Sequence, residues 1–217
     1  MKPVILFDLD GTLIDSTEAI LDGFRVAFET FGGEVPSDRL IKKEIGHTLE
    51  NMFRTLGVEE RMIDQHVHTY KMHYREISCA KTVLLDEAAN AIKEASAFAI
   101  LGVVTTKTGE YSTILLEHMG LMSYFDVLIG REHVERPKPH PEPIFKALAK
   151  LEHDKSNTWM VGDTPMDILA ANAAGIKSVA VTSGYASHQE LATCASKICN
   201  WAIDAVKYIK NYDKNYK

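Results

Sequence analysis

The sequence predicts an α/β protein: a doubly wound parallel sheet with a Rossmann-like core and a helical domain inserted after the first strand. Three observations predict it. Short apolar runs rich in strand formers recur at residues 4–7, 98–104, 125–129, 158–161 and 177–181. Helical patterns separate the later runs, and such alternation favours parallel strands joined by crossover helices. Between the first run and the second, residues 16–80 carry helical periodicity and no convincing strand.

The chain has 217 residues, 46% hydrophobic and 25% charged, enough for one sizeable core with a small appended domain. A net charge of −6 gives no reason to expect nucleic acid or an anionic membrane as partner. An anionic small substrate would need local positive charge or a metal. Three sparse cysteines, Cys79, Cys194 and Cys199, fit packing thiols in a reducing compartment better than a disulfide framework or a metal site. Asp8 and Asp10 interrupt the first apolar run before it resembles a secretory signal, and no segment reaches membrane-spanning length. The expected location is the cytoplasm, as a monomer or homodimer.

Residues 4–7 are too short for a helix and end at a Gly11-Thr12 turn signal, so they read as a buried strand. Ser16 is placed to cap a helix whose apolar face holds Ile20, Phe24, Ala27 and Phe28, and which Gly32-Gly33 stops. Pro36-Ser37 opens another helix, Gly46-His47-Thr48 breaks it, residues 49–56 resume it, and 59–77 read as one long helix. After Lys81 the pattern changes. Helices are expected at 86–96, 111–119, 143–151, 189–193 and 201–209, with a polar tail from Asn211. Thr164-Pro165, a cap followed by proline at the first helical position, opens one more helix that Gly175 closes. The predicted core is thus residues 1–15 and 82–217, and the inserted helical cap is 16–81.

In an open parallel sheet, ligands bind beyond the carboxyl ends of the strands. Polar residues collect there: Asp8 and Asp10 after the first strand, Thr105, Thr106 and Lys107 after the second, and Asp163 and Asp167 after the run at 158–161. The period of two points Asp8 and Asp10 the same way, and two desolvated anions side by side call for a cation or a shared proton. By themselves they also fit a strand followed by an Asp-Gly turn. The loop Arg136-Pro137-Lys138-Pro139-His140-Pro141 sets Lys138 between prolines that stiffen its backbone. Carboxylates for a hard cation, a hydroxyl donor and a fixed ammonium suit phosphoryl transfer, in which catalysis is mostly positioning and charge neutralisation.

The order Asp8-x-Asp10-Gly11-Thr12, then Thr105, then Lys138, then Gly162-Asp163-x-x-x-Asp167, resembles the haloacid dehalogenase-like hydrolases, mostly magnesium-dependent phosphatases. The helical insert after the first motif resembles their smaller-cap members, among them phosphoglycolate phosphatases, pyrophosphatases and sugar-phosphate mutases. The resemblance implies roles. Asp8 would be the nucleophile, forming an aspartyl-phosphate, and Asp10 the acid and then the base. Asp8, Asp163 and the Asp10 carbonyl would hold Mg²⁺. Thr105, Thr106 and Lys138 would bind the phosphate, with Asp167 in support. His47, at the break between cap helices, would touch the leaving group. Thr106 departs from the Asn often found there in the family, and Val83-Leu84-Leu85 lacks the Pro-Gly often seen where the chain re-enters the core.

The expected activity is hydrolysis of a small phosphorylated metabolite, phosphoglycolate first. A sugar-phosphate mutase or a pyrophosphatase would use the same core. A dehalogenase has no need of the acid that Asp10 supplies. A phospho-switch module also sets carboxylates, a Thr and a Lys at strand ends, but lacks the second Asp and the insert.

Overall fold

A computed structural model describes residues 2–215. Strand β1 (Val4–Phe7) lies at the centre of a six-stranded sheet. All four of its residues are buried, as expected of a parallel strand covered on both faces. A two-residue strand β2 (Ile14–Asp15) follows. Helices α1 (Thr17–Thr30), α2 (Asp38–Glu44), α3 (Leu49–Thr55) and α4 (Ile63–Ile77) come next. The chain returns through β3 (Val83–Leu84), then α5 (Ala88–Ser96), β4 (Ile100–Val104), α6 (Gly109–His118) and β5 (Val127–Ile129). The remainder is α7 (Glu142–Leu148), β6 (Thr158–Gly162), α8 (Pro165–Ala174), β7 (Lys177–Val181), α9 (His188–Ala192), β8 (Ile198–Cys199) and α10 (Ala202–Asn215).

The sheet order is β5-β4-β1-β6-β7-β8, with every pairing parallel. Phe7 aligns with Val103 on one side and Val161 on the other. The chain winds outward from β1 first through β4 and β5, then through β6, β7 and β8. The crevice of such a reversal opens at the carboxyl end of β1. On one sheet face Ile5 and Phe7 join α5 and α10 in a single apolar cluster; on the other, Val4 and Leu6 pack against α7 and α8.

Helices α1 to α4 have an apolar cluster of their own. Phe24, Phe53 and Tyr70 form its centre, with ring centroids 4.5 Å and 5.2 Å from Phe24. His66 is buried there among Phe28, Phe31 and Phe53, so it is a packing residue of this cluster.

The structure corrects several sequence expectations. The two crossings between the helical block and the sheet, β2 and β3, pair as an antiparallel ribbon. Two-residue strands are too short for a period to register. The long helix expected at 59–77 is a 3₁₀ turn at Glu60–Met62 followed by α4. The tail expected from Asn211 continues α10, because the Tyr212 ring packs edge-on against Trp159 at 5.0 Å. Ser16 makes no side-chain cap to α1; its hydroxyl is used elsewhere.

Candidate active site

Beyond β1 the backbone turns at once. The Gly11 N–H donates to the Ile14 carbonyl at 2.8 Å, and Gly11 has φ +80°. A Cβ there would also collide with the Asp163 carboxylate, so glycine is required twice over. The turn places Asp8 and Asp10 at the crevice, but their carboxylates have different surroundings.

Asp8 is buried beside Lys138, whose Nζ lies 2.9 Å from Asp8 Oδ1, 2.5 Å from Asp167 Oδ1 and 2.9 Å from the Val104 carbonyl. The approach to Asp8 is off the line of a hydrogen bond, so Oδ1 is a buried acceptor without an aligned donor. Lys138 is held in turn by its loop. Both carboxylate oxygens of Glu142, the first residue of α7, accept from the backbone N–H groups of Glu135 and Arg136 at 3.0 Å.

Asp163 follows β6 and is fully buried. Thr12 Oγ1 donates to its Oδ1 at 3.2 Å and the Tyr185 N–H to its Oδ2 at 2.9 Å. Asp167 caps the start of α8: its Oδ2 accepts from the Thr164 N–H at 3.0 Å and the Thr164 hydroxyl at 2.7 Å, leaving Oδ1 for Lys138. Oxygens of Asp8, Asp163 and Asp167 all lie within 4.8 Å of one another.

Burial, first of all, pushes the Asp8 carboxyl up to about 7; Lys138 pulls it down, while Asp167 and Asp10 add to the rise. Burial also holds Asp163 well above the carboxylate range, reinforced by Asp8 and Asp167. For Lys138, burial alone would lower the ammonium, but Asp167 and Asp8 outweigh it and leave it raised. Three carboxylates around one ammonium would carry two uncompensated negative charges when ionised. Oxygen donors only, one of them short of a partner, fit a hard divalent cation.

Asp10 turns away from this group. Its Oδ1 accepts from the Ser16 hydroxyl, and its Oδ2 lies 3.2 Å from Lys107 Nζ. Lys107 also donates to the Tyr74 hydroxyl at 3.0 Å and sits over the Tyr74 ring at 4.5 Å. Its burial disfavours charge, yet Asp10 and Tyr74 raise its ammonium above the ordinary value.

Thr105 is buried just past β4, and its hydroxyl oxygen accepts from the Lys107 N–H at 3.2 Å. Thr106 directs its hydroxyl to the Gly46 carbonyl at 2.9 Å, tying the β4 loop to the break between α2 and α3. His47, beside it, is exposed and lines the cavity that Asp8, Asp10 and Lys107 also line.

Of the residues singled out in the sequence, Asp8, Lys138, Asp163 and Asp167 converge on one buried cluster. Asp10 and Thr106 face the helical block, and His47 lines the cavity that Asp8 and Asp10 also line. The sequence reading missed Lys107 as an individual group, Ser16 as the Asp10 partner, and Thr12 and Tyr185 as donors to Asp163. Lys107 was the one with a signal, since it directly follows Thr105-Thr106 at a strand end. The partners that Ser16 and Tyr185 find depend on tertiary folding.

This arrangement agrees with what the chain resembles. The family model for haloacid dehalogenase-like hydrolase matches residues 5–181. The chain belongs to that family, and it is an enzyme. A curated relative, pyrophosphatase PpaX of Halalkalibacterium halodurans, is 36% identical over 189 residues, covering 86% of this chain and 85% of the relative. The phosphoglycolate phosphatase of Aquifex aeolicus is 31% identical over 183 residues, covering 84% and 85%. Among solved structures, a haloacid dehalogenase-like family hydrolase from Streptococcus pneumoniae superposes with a TM-score of 0.86 at 26% identity, covering 95% of this chain and 98% of that one.

Proposed function

We propose that the protein is a Mg²⁺-dependent phosphatase acting on a small phosphorylated metabolite, phosphoglycolate first, through an aspartyl-phosphate on Asp8. The observation that carries this reading is the buried cluster of Asp8, Asp163, Asp167 and Lys138, an electrostatic arrangement that asks for a cation and for a phosphate to approach it. The names of the relatives, phosphoglycolate phosphatase and pyrophosphatase, support the same class. Asp8 and Asp163 would hold the ion with the Asp10 carbonyl, and Asp167 would fix Lys138 beside them. An ion held there would supply polarisation of the phosphoryl group and screening of its charge from Asp8.

An Asp8 carboxylate oxygen attacks phosphorus as the bond to the leaving oxygen breaks, and Asp10 gives that oxygen its proton. Asp10 then takes a proton from water as the water oxygen attacks phosphorus, which releases phosphate and restores Asp8. Lys138 and the Thr105 and Thr106 segment offset the charge on the phosphoryl oxygens. Residues 16–81 act as the cap, joined to the core by the β2–β3 ribbon, and closure excludes bulk water from the aspartyl-phosphate.

Phosphate release is measured across phosphoglycolate, pyrophosphate, sugar phosphates and nucleotides, with Mg²⁺ and with chelator. Release requires the metal and falls at least about 10³-fold in Asp8→Asn. Metal-independent release, or release undiminished in Asp8→Asn, would contradict the reading.

A further inference from the structure

We propose that Lys107 selects substrates whose leaving group carries a second anion, a carboxylate or a phosphate, close to the bridging oxygen. The inference rests on the phosphatase reading above, because it takes Asp10 as the acid that meets the leaving oxygen. Asp10 Oδ2 and Lys107 Nζ are 3.2 Å apart. Whatever oxygen Asp10 protonates therefore lies within a few ångströms of an ammonium, and the next atoms of the leaving group reach it.

That ammonium is positioned as a reader rather than as a solvated charge. The Lys107 side chain is 9% exposed. Of its three N–H donors, Asp10 and the Tyr74 hydroxyl engage two, which leaves one for a ligand. The Tyr74 ring beneath it restricts where the ammonium can move.

A second donor faces the same cavity. Arg131, just past β5, has a buried Nε that makes no hydrogen bond. It stands 4.0 Å from Glu50 Oε2 of α3, also buried and without a hydrogen bond. An anionic leaving group meets the open donor positions of Lys107 and Arg131 with charge-assisted bonds, which a neutral group does not, while the Glu50 carboxylate on the same wall offsets part of the Arg131 charge and leaves Lys107 the main reader.

The cavity limits size. The cavity volume is about 60 Å³, which favours a compact leaving group. The substrate class is a small phosphate compound with a second negative charge two or three bonds beyond the bridging oxygen.

Three compounds test this: 2-phosphoglycolate, pyrophosphate, and 2-hydroxyethyl phosphate, which replaces the carboxylate by a neutral hydroxymethyl group. Wild type is expected to prefer at least one anionic compound over the neutral ester by about a hundredfold in kcat/KM. Lys107→Met should reduce that ratio to within about fivefold, and Lys107→Arg should keep most of it. Misplacing Asp10 alone would slow all three compounds alike and leave the ratio unchanged. Preference for phosphoglycolate alone identifies a carboxylate reader; preference for pyrophosphate alone identifies a phosphate reader.

Calorimetric binding of the same compounds to Asp8→Asn protein, with Lys107 intact and replaced, reads the preference without turnover. No preference in wild type, or a preference that survives in Lys107→Met, would overturn the proposal. Binding preference that depends on Lys107 but with no turnover of any compound would uphold it and overturn the phosphatase reading instead. Turnover without preference would do the reverse.

Discussion

Burial holds the Asp8 carboxyl up to about 7, and that makes the protein's stability depend on pH in a defined direction. The native state binds this proton more tightly than the unfolded chain, so the contribution is full below about pH 4 and is lost as pH rises through 7. Without divalent metal, Tm should therefore fall by several degrees between pH 5 and pH 8. Mg²⁺ should restore more of it at pH 8 than at pH 5, because the ligands must be deprotonated to bind. Thermal unfolding with Mg²⁺ and with chelator checks both; a metal-free Tm that rises over this range contradicts the assignment. Asp10 differs from Asp8 in what holds it, the Ser16 hydroxyl and the Lys107 ammonium. Asp10→Asn should lower turnover by about 10²–10⁴-fold while leaving metal binding, read by the Mg²⁺-induced shift in Tm, within about twofold. At this scale the sequence was informative about identities and poor on pairings. Asp8 and Asp163 were legible as carboxylates at the ends of apolar runs, and Lys138 as a lysine fixed between prolines; each has a structural use by itself, and their joint order singles them out. Ser16 looked like a helix cap, since its spacing to α1 is right for one, and only the folded turn brings its hydroxyl to Asp10.

Strand β1 and the turn after it organise the site at the level of elements. Its residues pack both sheet faces, and its neighbours β4 and β6 deliver Thr105 and Asp163 to the same end. Gly11 allows the turn to close over Asp163. Gly11→Ala would force a Cβ into that carboxylate at a positive φ. It should cost about 1–3 kcal/mol of stability in chemical denaturation and weaken Mg²⁺ binding together with it. Helix α8 makes a comparable use of its first turn, since the Asp167 cap also anchors Lys138. Long apolar runs with clear stops were readable in advance, and β7 falls where its pattern places it. The β2–β3 ribbon was not, because two residues carry no period. The last turns of α10 were hidden for a different reason: their polar residues suit a tail, and packing of Tyr212 on Trp159 decides the matter.

The whole molecule is a sheet and a helical block that meet across the cavity. The contacts between them include hydrogen bonds from Thr106 to the Gly46 carbonyl, from Lys107 to Tyr74 and between Tyr185 and Thr17 at 3.1 Å, and apolar packing of Tyr111 and Tyr185 on the helical cluster. On the cap closure proposed above, the polar contacts are the ones that break and re-form. Thr106→Val removes the first and leaves the Gly46 carbonyl without it. KM should rise several-fold with a smaller change in kcat, read from steady-state kinetics. A fall in kcat with KM unchanged would place the Thr106 hydroxyl itself, and not only its backbone segment, on the phosphoryl group. The proposed mechanism turns on Asp8 taking the phosphoryl group. Its most direct measurement is rapid quenching of Asp10→Asn protein with ³²P-labelled substrate and Mg²⁺, followed by peptide mapping. An acid-stable, hydroxylamine-labile label is expected on the peptide that carries Asp8, absent in Asp8→Asn. Release of labelled phosphate with no label ever on Asp8 would contradict it.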